Sequence, residues 1–110
     1  MKITLSNILC LFLAAFSLMA CTIHLDDEDR TVTVYTDPSF RGQREQRTER
    51  EGKCANVPDS VNDRVESIAC NGDITVYEHE DCRGASRRFT CDIPNLNDFG
   101  WADRISSIRF

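Results

Sequence analysis

Histidine is scarce in this chain of 110 residues, and its cysteines do not have the spacing of a metal-binding motif. The two histidines, His24 and His79, lie far apart in the sequence, and no Cys-x-x-Cys pair occurs. A Ser-His-Asp or Cys-His catalytic arrangement would have to be built around His79, which no nucleophile motif accompanies. A zinc site would lack ligands at the usual spacing. We therefore expect neither an enzyme nor a zinc protein.

The chain also lacks a long apolar run, and its main apolar stretch lies near the start. This stretch runs from Ile8 to Ala20 after the positive Lys2, which fits the core of a signal peptide better than a membrane-spanning helix. We expect residues 1–20 to be a signal peptide and the chain to be exported.

The end of this segment, Leu18-Met19-Ala20-Cys21, resembles the lipobox of bacterial lipoproteins, in which the signal is cut before a lipidated cysteine. Acyl chains on Cys21 would anchor the protein stably to a membrane of a bacterial envelope. The alternatives are an ordinary cleavage site that happens to precede a cysteine, which would release a secreted protein, and a cysteine that belongs to the fold.

The charge balance is acidic. The chain has 13 Lys and Arg residues against 18 Asp and Glu, a formal net charge of −5, and loss of residues 1–20 removes only Lys2 and makes it −6. This sign argues against a nucleic-acid partner and is compatible with cation binding. Residues 21–30 combine Cys21 with the acidic stretch Thr22 to Arg30, which lacks the pattern of an EF-hand loop and is interpreted as a solvated spacer.

An internal repeat of about forty residues organises the rest of the chain. Residues 34–42 read VYTDPSFRG and residues 76–84 read VYEHEDCRG, while NDRVESI at 62–68 is answered by ADRISSI at 102–108. The repeat predicts a first unit at residues 31–71 and a second unit at residues 73–110.

The cysteines of the two units are even in number. Of the six cysteines, Cys10 lies in the expected signal peptide and Cys21 is the expected anchor. Four remain: Cys54, Cys70, Cys82 and Cys91. In an oxidising compartment they predict two disulfides, although sequence alone does not fix which of three pairings forms. We favour the pairing that stays within each unit, with the first two joined and the last two joined.

The residue patterns of the two units predict short β-strands. Val32 and Val34 alternate with polar residues and are followed by turn residues. The charged stretch 43–53 could be a helix, a loop or an edge strand, of which we favour the edge strand. The apolar residues of the loop 95–101 are expected to cover one end of the core. Because no long helix is indicated, the chain is predicted to be an all-β sandwich.

The two hairpins carry a family resemblance. The first follows the pattern Tyr-x-x-x-x-Phe-x-Gly and the second is a degenerate copy, each with an Asx-Asx-x-x-Ser/Thr-Ser-like element downstream. The matching residues are Tyr35, Phe40 and Gly42 in the first unit and Tyr77, Cys82 and Gly84 in the second. The arrangement resembles the Greek-key motif of the βγ-crystallins over Val32 to Phe110. It implies two tandem Greek-key motifs forming one βγ-crystallin-like sandwich of two four-stranded sheets.

The resemblance also implies Ca²⁺ as a ligand, because microbial members commonly bind one ion per Asx-Asx-x-x-Ser/Thr-Ser element. Carboxylate, hydroxyl and carbonyl oxygens suit this hard cation. The implied positions are Asn62, Asp63 and Glu66 in the first element, Ala102, Asp103 and Ser106 in the second, and the hairpin carbonyls of Thr36 and Glu78. Ala102 and Glu66 depart from the pattern, so Asp103 with Ser106 is expected to form the better site.

The resemblance thus implies a structural module of the cell envelope or secreted space that Ca²⁺ stabilises. Asp and Ser at such positions also hydrogen-bond turns without any metal. A different class of function stays open, since small secreted proteins of this fold include protease inhibitors and antimicrobial toxins. In that case the arginine-rich segment 41–53 would contact the target.

Overall fold

A computed structural model of the protein describes residues 29–110. The expected signal peptide and the Cys21 anchor lie outside these residues. The elements are β1 (Asp29–Asp37), β2 (Arg41–Arg50), β3 (Cys54–Asn56), β4 (Ser67–Cys70), β5 (Ile74–His79), β6 (Arg83–Phe89), a 3-10 helix (Leu96–Phe99) and β7 (Ser107–Arg109). Among the described residues, no helix has both the length and the apolar character needed to cross a membrane.

The two sheets exchange strands between the units. The first sheet has the order β2-β1-β4 and the second has the order β3-β7-β5-β6, so β3 of the first unit pairs with β7 of the second. In return, Ile93 of the second unit bridges Ile68 in β4 through backbone hydrogen bonds of 3.0 and 2.8 Å. The predicted all-β Greek-key sandwich is confirmed. The first sheet has three strands instead of the implied four, because the segment around Ile93 forms only this isolated bridge.

The hairpins β1–β2 and β5–β6 share one turn geometry. Residues 39–40 and 81–82 adopt left-handed φ angles between 55° and 62°. Gly42 and Gly84 follow with φ of 85° and 83°, a region that glycine adopts without steric cost. A Cβ atom on Gly42 would also lie only 2.5 Å from Thr36 Oγ1. The Arg-Gly pair therefore recurs in the sequence because each folded hairpin leaves no room for a side chain.

The core lies between the sheets and is closed at one end by the loop 95–101. The inward residues of β1, Val32 and Val34, are buried together with residues from both units. Leu96 and Trp101 are buried as predicted, whereas Phe99 keeps 42% of its surface exposed. The loop therefore covers the core with two of its three large apolar side chains.

The arginine-rich stretch forms an edge strand, as predicted. β2 pairs with β1 on one side only, and none of its residues is buried. Within it, Arg47 and Glu49 form an ion pair of 2.6 Å. Charged side chains along an exposed edge disfavour pairing with the sheets of other molecules.

Both disulfides join the two units. Cys54 pairs with Cys82, and Cys70 pairs with Cys91, with Cα separations of 6.2 and 5.4 Å. The favoured pairing within each unit is therefore wrong. Strand exchange explains the difference, because it places β3 beside the second hairpin and the end of β4 beside the segment that follows β6.

We expect the double variant Cys54→Ser/Cys82→Ser to lose about 3–4 kcal/mol of unfolding free energy, since a cross-link over this length of chain restricts the unfolded state by about that amount. Urea unfolding measures the loss, and the double variant Cys70→Ser/Cys91→Ser is the matched comparison. Peptide mapping without reduction should recover one cross-linked peptide for each pair. A peptide that links Cys54 to Cys70 would contradict the assignment.

Candidate functional site

An open cleft with a volume of about 340 Å³ lies beside the end of β5. The residues that line it are Asp63, Glu78, His79, Asp103, Arg104 and Ser106. Four of these were predicted from the sequence, and they bring three carboxylates and one hydroxyl to the same place. We call this space the Asp63 cleft.

Asp63 and Ser106 come from different units and contact each other in the Asp63 cleft. Ser106 Oγ donates a hydrogen bond of 3.1 Å to Asp63 Oδ1. The Ser106 backbone N–H donates to the carbonyl oxygen of Tyr77 at 2.9 Å, which fixes Ser106 next to Glu78. The sequence led us to expect Asp103 as the carboxylate partner of Ser106. In the structure that partner is Asp63, because the two elements cross at the boundary between the units.

The other implied ligands occupy the mirror arrangement. The Glu66 backbone N–H donates to the carbonyl oxygen of Tyr35 at 2.8 Å, and the Asp103 N–H donates to the carbonyl oxygen of Val65 at 3.0 Å. These bonds repeat the backbone contacts of the Asp63 cleft with the roles of the units exchanged. Thr36, the hairpin residue of this half, follows Tyr35 directly, so the second implied site would combine Thr36, Glu66 and Asp103.

The two aspartates also have a structural role that needs no metal. Asp63 and Asp103 adopt φ of 57° and 61°, and Asp is among the few residues that accept a left-handed backbone. The Asp-Arg pairs of the repeat therefore mark a turn as well as a ligand position.

The residues at the first positions of the two elements, Asn62 and Ala102, differ in whether they carry a side-chain oxygen. Asn62 Oδ1 is buried and has no hydrogen-bond partner among the described residues, and buried polar atoms are almost always satisfied by a partner, a water molecule or an ion. Ala102 packs against the core and contributes no side-chain oxygen. Neither Asn62 nor Ala102 lines the Asp63 cleft, so the structure does not bring these two implied positions to the other candidate ligands.

Sequence reasoning missed Arg104, which lies in the cleft itself. Its Nη2 atom pairs with Glu78 Oε2 at 2.9 Å, its Nη1 donates to the carbonyl oxygen of Gly100 at 2.7 Å, and its guanidinium lies 4.6 Å from the centre of the Trp101 ring. The hydrogen bond from Arg104, together with its charge, lowers the pKa of Glu78 below its ordinary value. The signal in the sequence was the arginine that follows the aspartate in both elements.

The donor set of the Asp63 cleft fits a hard cation. Asp63 and Ser106 line it with a carboxylate and a hydroxyl, and the backbone carbonyl of Glu78 would be the third donor; these are the oxygen types that Ca²⁺ prefers. Within residues 29–110, no three His, Cys, Asp or Glu side chains are close enough together to hold a metal ion by themselves. A bound ion would therefore depend on the hydroxyl and carbonyl oxygens as well as the carboxylates.

Two buried serines hold the hairpins that border the sites, and the sequence reasoning had not assigned them this role. Ser107 is fully buried. Its hydroxyl donates to the carbonyl oxygen of His79 and accepts a hydrogen bond of 2.9 Å from the Cys82 N–H. Ser67 makes the same two kinds of bond to the first hairpin. Their signal in the sequence was the serine that ends each repeated element.

We expect Ser107→Ala to lower the free energy of unfolding by about 2 kcal/mol, because two backbone groups of the hairpin would lose their shared partner. Urea unfolding measures this change. Ser86→Ala, at an exposed position on β6, is the control and should change stability by less than about 0.5 kcal/mol. Equal effects of the two substitutions would remove the assigned role of Ser107.

Comparison with known proteins agrees with this architecture. Residues 73–110 match the sequence model of a family described as Beta/Gamma crystallin. A search of curated proteins finds no match.

Solved structures of the same fold come from several kinds of organism. A βγ-crystallin from an archaeon superposes with a TM-score of 0.62 at 24% identity, covering 73% of this chain and 95% of that one. A βγ-crystallin domain from Flavobacterium johnsoniae gives 0.59 at 28% identity, covering 71% and 90%. The Ca²⁺-bound βγ-crystallin domain of Abundant Perithecial Protein from Neurospora crassa gives 0.54 at 24% identity, covering 80% and 92%. Residues 29–110 therefore fold as a βγ-crystallin domain, and residues 73–110 carry the sequence signature of the Beta/Gamma crystallin family.

Proposed function

We propose that the domain binds Ca²⁺ with modest affinity in the Asp63 cleft and that the ion stabilises it as a structural module of the exported compartment. The observation that carries this proposal is the contact of 3.1 Å between Ser106 Oγ and Asp63 Oδ1. It places oxygens from both units beside the hairpin residue Glu78, in a cleft that is open to solvent.

The stabilisation follows from where the ligands come from. Asp63 belongs to the first unit, whereas Ser106 and Glu78 belong to the second, so their oxygens are together only when both units are folded and packed. A ligand that binds only the folded state raises the free energy of unfolding. Once the ligand concentration exceeds Kd, this increase grows with the logarithm of the concentration. A structure of the same fold, the domain from Neurospora crassa, was solved in a Ca²⁺-bound form, which supports the choice of ion.

The three residues would have separate tasks. The Asp63 carboxylate would supply charge, the Ser106 hydroxyl a neutral oxygen, and the Glu78 carbonyl a fixed backbone oxygen. The mirror site at Thr36, Glu66 and Asp103 would be weaker, because Glu66 stands where the second unit has the short side chain of Ser106.

We expect millimolar Ca²⁺ to raise the thermal midpoint of the exported chain, carrying Cys21→Ser to keep it soluble, relative to the same protein in EDTA. A concentration about 100 times Kd would add about 2.7 kcal/mol, or about 10–20 °C for a domain of this size. Calorimetric or fluorescence-monitored unfolding measures the shift.

The control for this measurement uses the symmetry of the two units. Asp63→Asn keeps a residue that tolerates the left-handed backbone and should abolish most of the rise. Glu66→Gln, in the mirror site and outside the lining of the Asp63 cleft, should leave most of it. If the parent protein shows no rise, the calcium proposal fails. Inhibition of a protease by the metal-free protein would then favour the alternative function through the exposed β2 segment.

We also propose that Cys21 is lipidated and anchors the domain to a membrane of a bacterial envelope, with Thr22 to Arg30 as the spacer, whose last two residues begin β1. The Leu18-Met19-Ala20-Cys21 sequence supports this. We expect mass spectrometry of the mature N-terminus to find an acylated Cys21, and Cys21→Ser to move the protein into the soluble fraction. A mature protein that begins at Thr22, or with an unmodified Cys21, would contradict the anchor.

A further inference from the structure

Arg104 lines the Asp63 cleft, and three contacts hold its guanidinium there. Two of them, to the Gly100 carbonyl and the Trp101 ring, come from its own loop and fix its position. The third is the ion pair with the Glu78 carboxylate at 2.9 Å. The guanidinium therefore brings a positive charge into the cleft.

The equivalent arginine of the first unit lacks the ion pair for a reason visible in the sequence. Arg64 donates through Nη1 to the Ser60 carbonyl oxygen at 3.0 Å, four residues earlier in the chain, as Arg104 does to Gly100. The hairpin residue that corresponds to Glu78 in the first unit is Thr36, which has no carboxylate. The two units thus place the same arginine in the same way, and within residues 29–110 Arg104 forms an ion pair with an acid while Arg64 does not.

We propose that Arg104 is a built-in counter-cation of the Asp63 cleft: it pairs with the Glu78 carboxylate in the metal-free domain, and its positive charge lowers the affinity of the cleft for Ca²⁺. This inference rests on the proposed function and adds to it the residue that sets the affinity.

The proposal explains how three carboxylates lie in one cleft of a metal-free domain. Asp63, Glu78 and Asp103 would repel one another without a positive charge among them, and Arg104 supplies one. A divalent ion bound beside Arg104 would experience like-charge repulsion, which lowers its affinity. The side chains of Arg104 and Glu78 keep 46% and 38% of their surface exposed, so the ion pair can open into water at small cost.

The first test measures affinity by isothermal titration of the exported chain, carrying Cys21→Ser, with CaCl₂. We expect Arg104→Gln to bind Ca²⁺ about three- to tenfold more tightly than the parent, since an exposed charge is removed from beside a doubly charged ion. Arg64→Gln is the matched control and should leave the affinity of this site unchanged. Equal affinity in Arg104→Gln and the parent would overturn the inference.

The second test uses Trp101, the single tryptophan of the chain. Repulsion by a Ca²⁺ ion bound beside Arg104 should shift the guanidinium on the Trp101 ring, so the emission of the parent protein should change as Ca²⁺ is added. In Arg104→Gln the heat of binding should persist while this emission change is lost. An emission change of the same size in Arg104→Gln would overturn the inference.

A third variant separates the charge of Arg104 from its shape. Arg104→Lys keeps the charge but loses the forked hydrogen bonds and the stacking on the ring, so it should bind Ca²⁺ within about twofold of the parent. Tightening as large as in Arg104→Gln would show that the charge is not the cause. Absence of any Ca²⁺ heat in the parent and in all variants would instead remove the proposed function, and this inference with it.

Discussion

The exchange of strands between the two units is the constraint on which the rest of the structure depends. β3 of the first unit completes the second sheet, and Ile93 of the second unit bridges the first sheet at Ile68. Neither unit can satisfy its backbone groups or cover its apolar face alone, and unpaired buried backbone groups are costly. The sequence therefore repeats once per unit, but the two units fold only together, as one domain.

The same exchange of strands places the candidate Ca²⁺ ligands at the boundary between the two units. Ser106 reaches Asp63 because its backbone is held by β5 and by the crossing of the two elements. A cation in the Asp63 cleft would act as a bridge between units that the disulfides already join. Calcium would then adjust the rigidity of an existing fold, and Arg104 gives the metal-free form its own neutralising charge.

The sequence predicted the strands and turns, which depend on local residue patterns. It did not predict the contacts between units, which depend on the exchange of strands. The repeated Val-Tyr and Arg-Gly residues indicated the strands, the turns and the sandwich, since each pair belongs to one hairpin. The cysteine pairing and the partner of Ser106 were expected within one unit, because nearness in sequence was the only available guide. The contact between Arg104 and Glu78 depends on one difference between the units, a glutamate where the first has Thr36. The consequence of that difference becomes visible only when the structure shows the side chains of Arg104 and Glu78 in contact.

The two disulfides overlap along the chain, since Cys70 lies between Cys54 and Cys82, and Cys82 lies between Cys70 and Cys91. A single backbone cut at any point from Cys54 to Cys91 therefore leaves two fragments that are still covalently joined. The exposed turns after β4 and between β5 and β6 fall inside this range. If the protein is exported as proposed, this arrangement would let the domain stay in one covalently linked piece after a single cleavage by an extracytoplasmic protease.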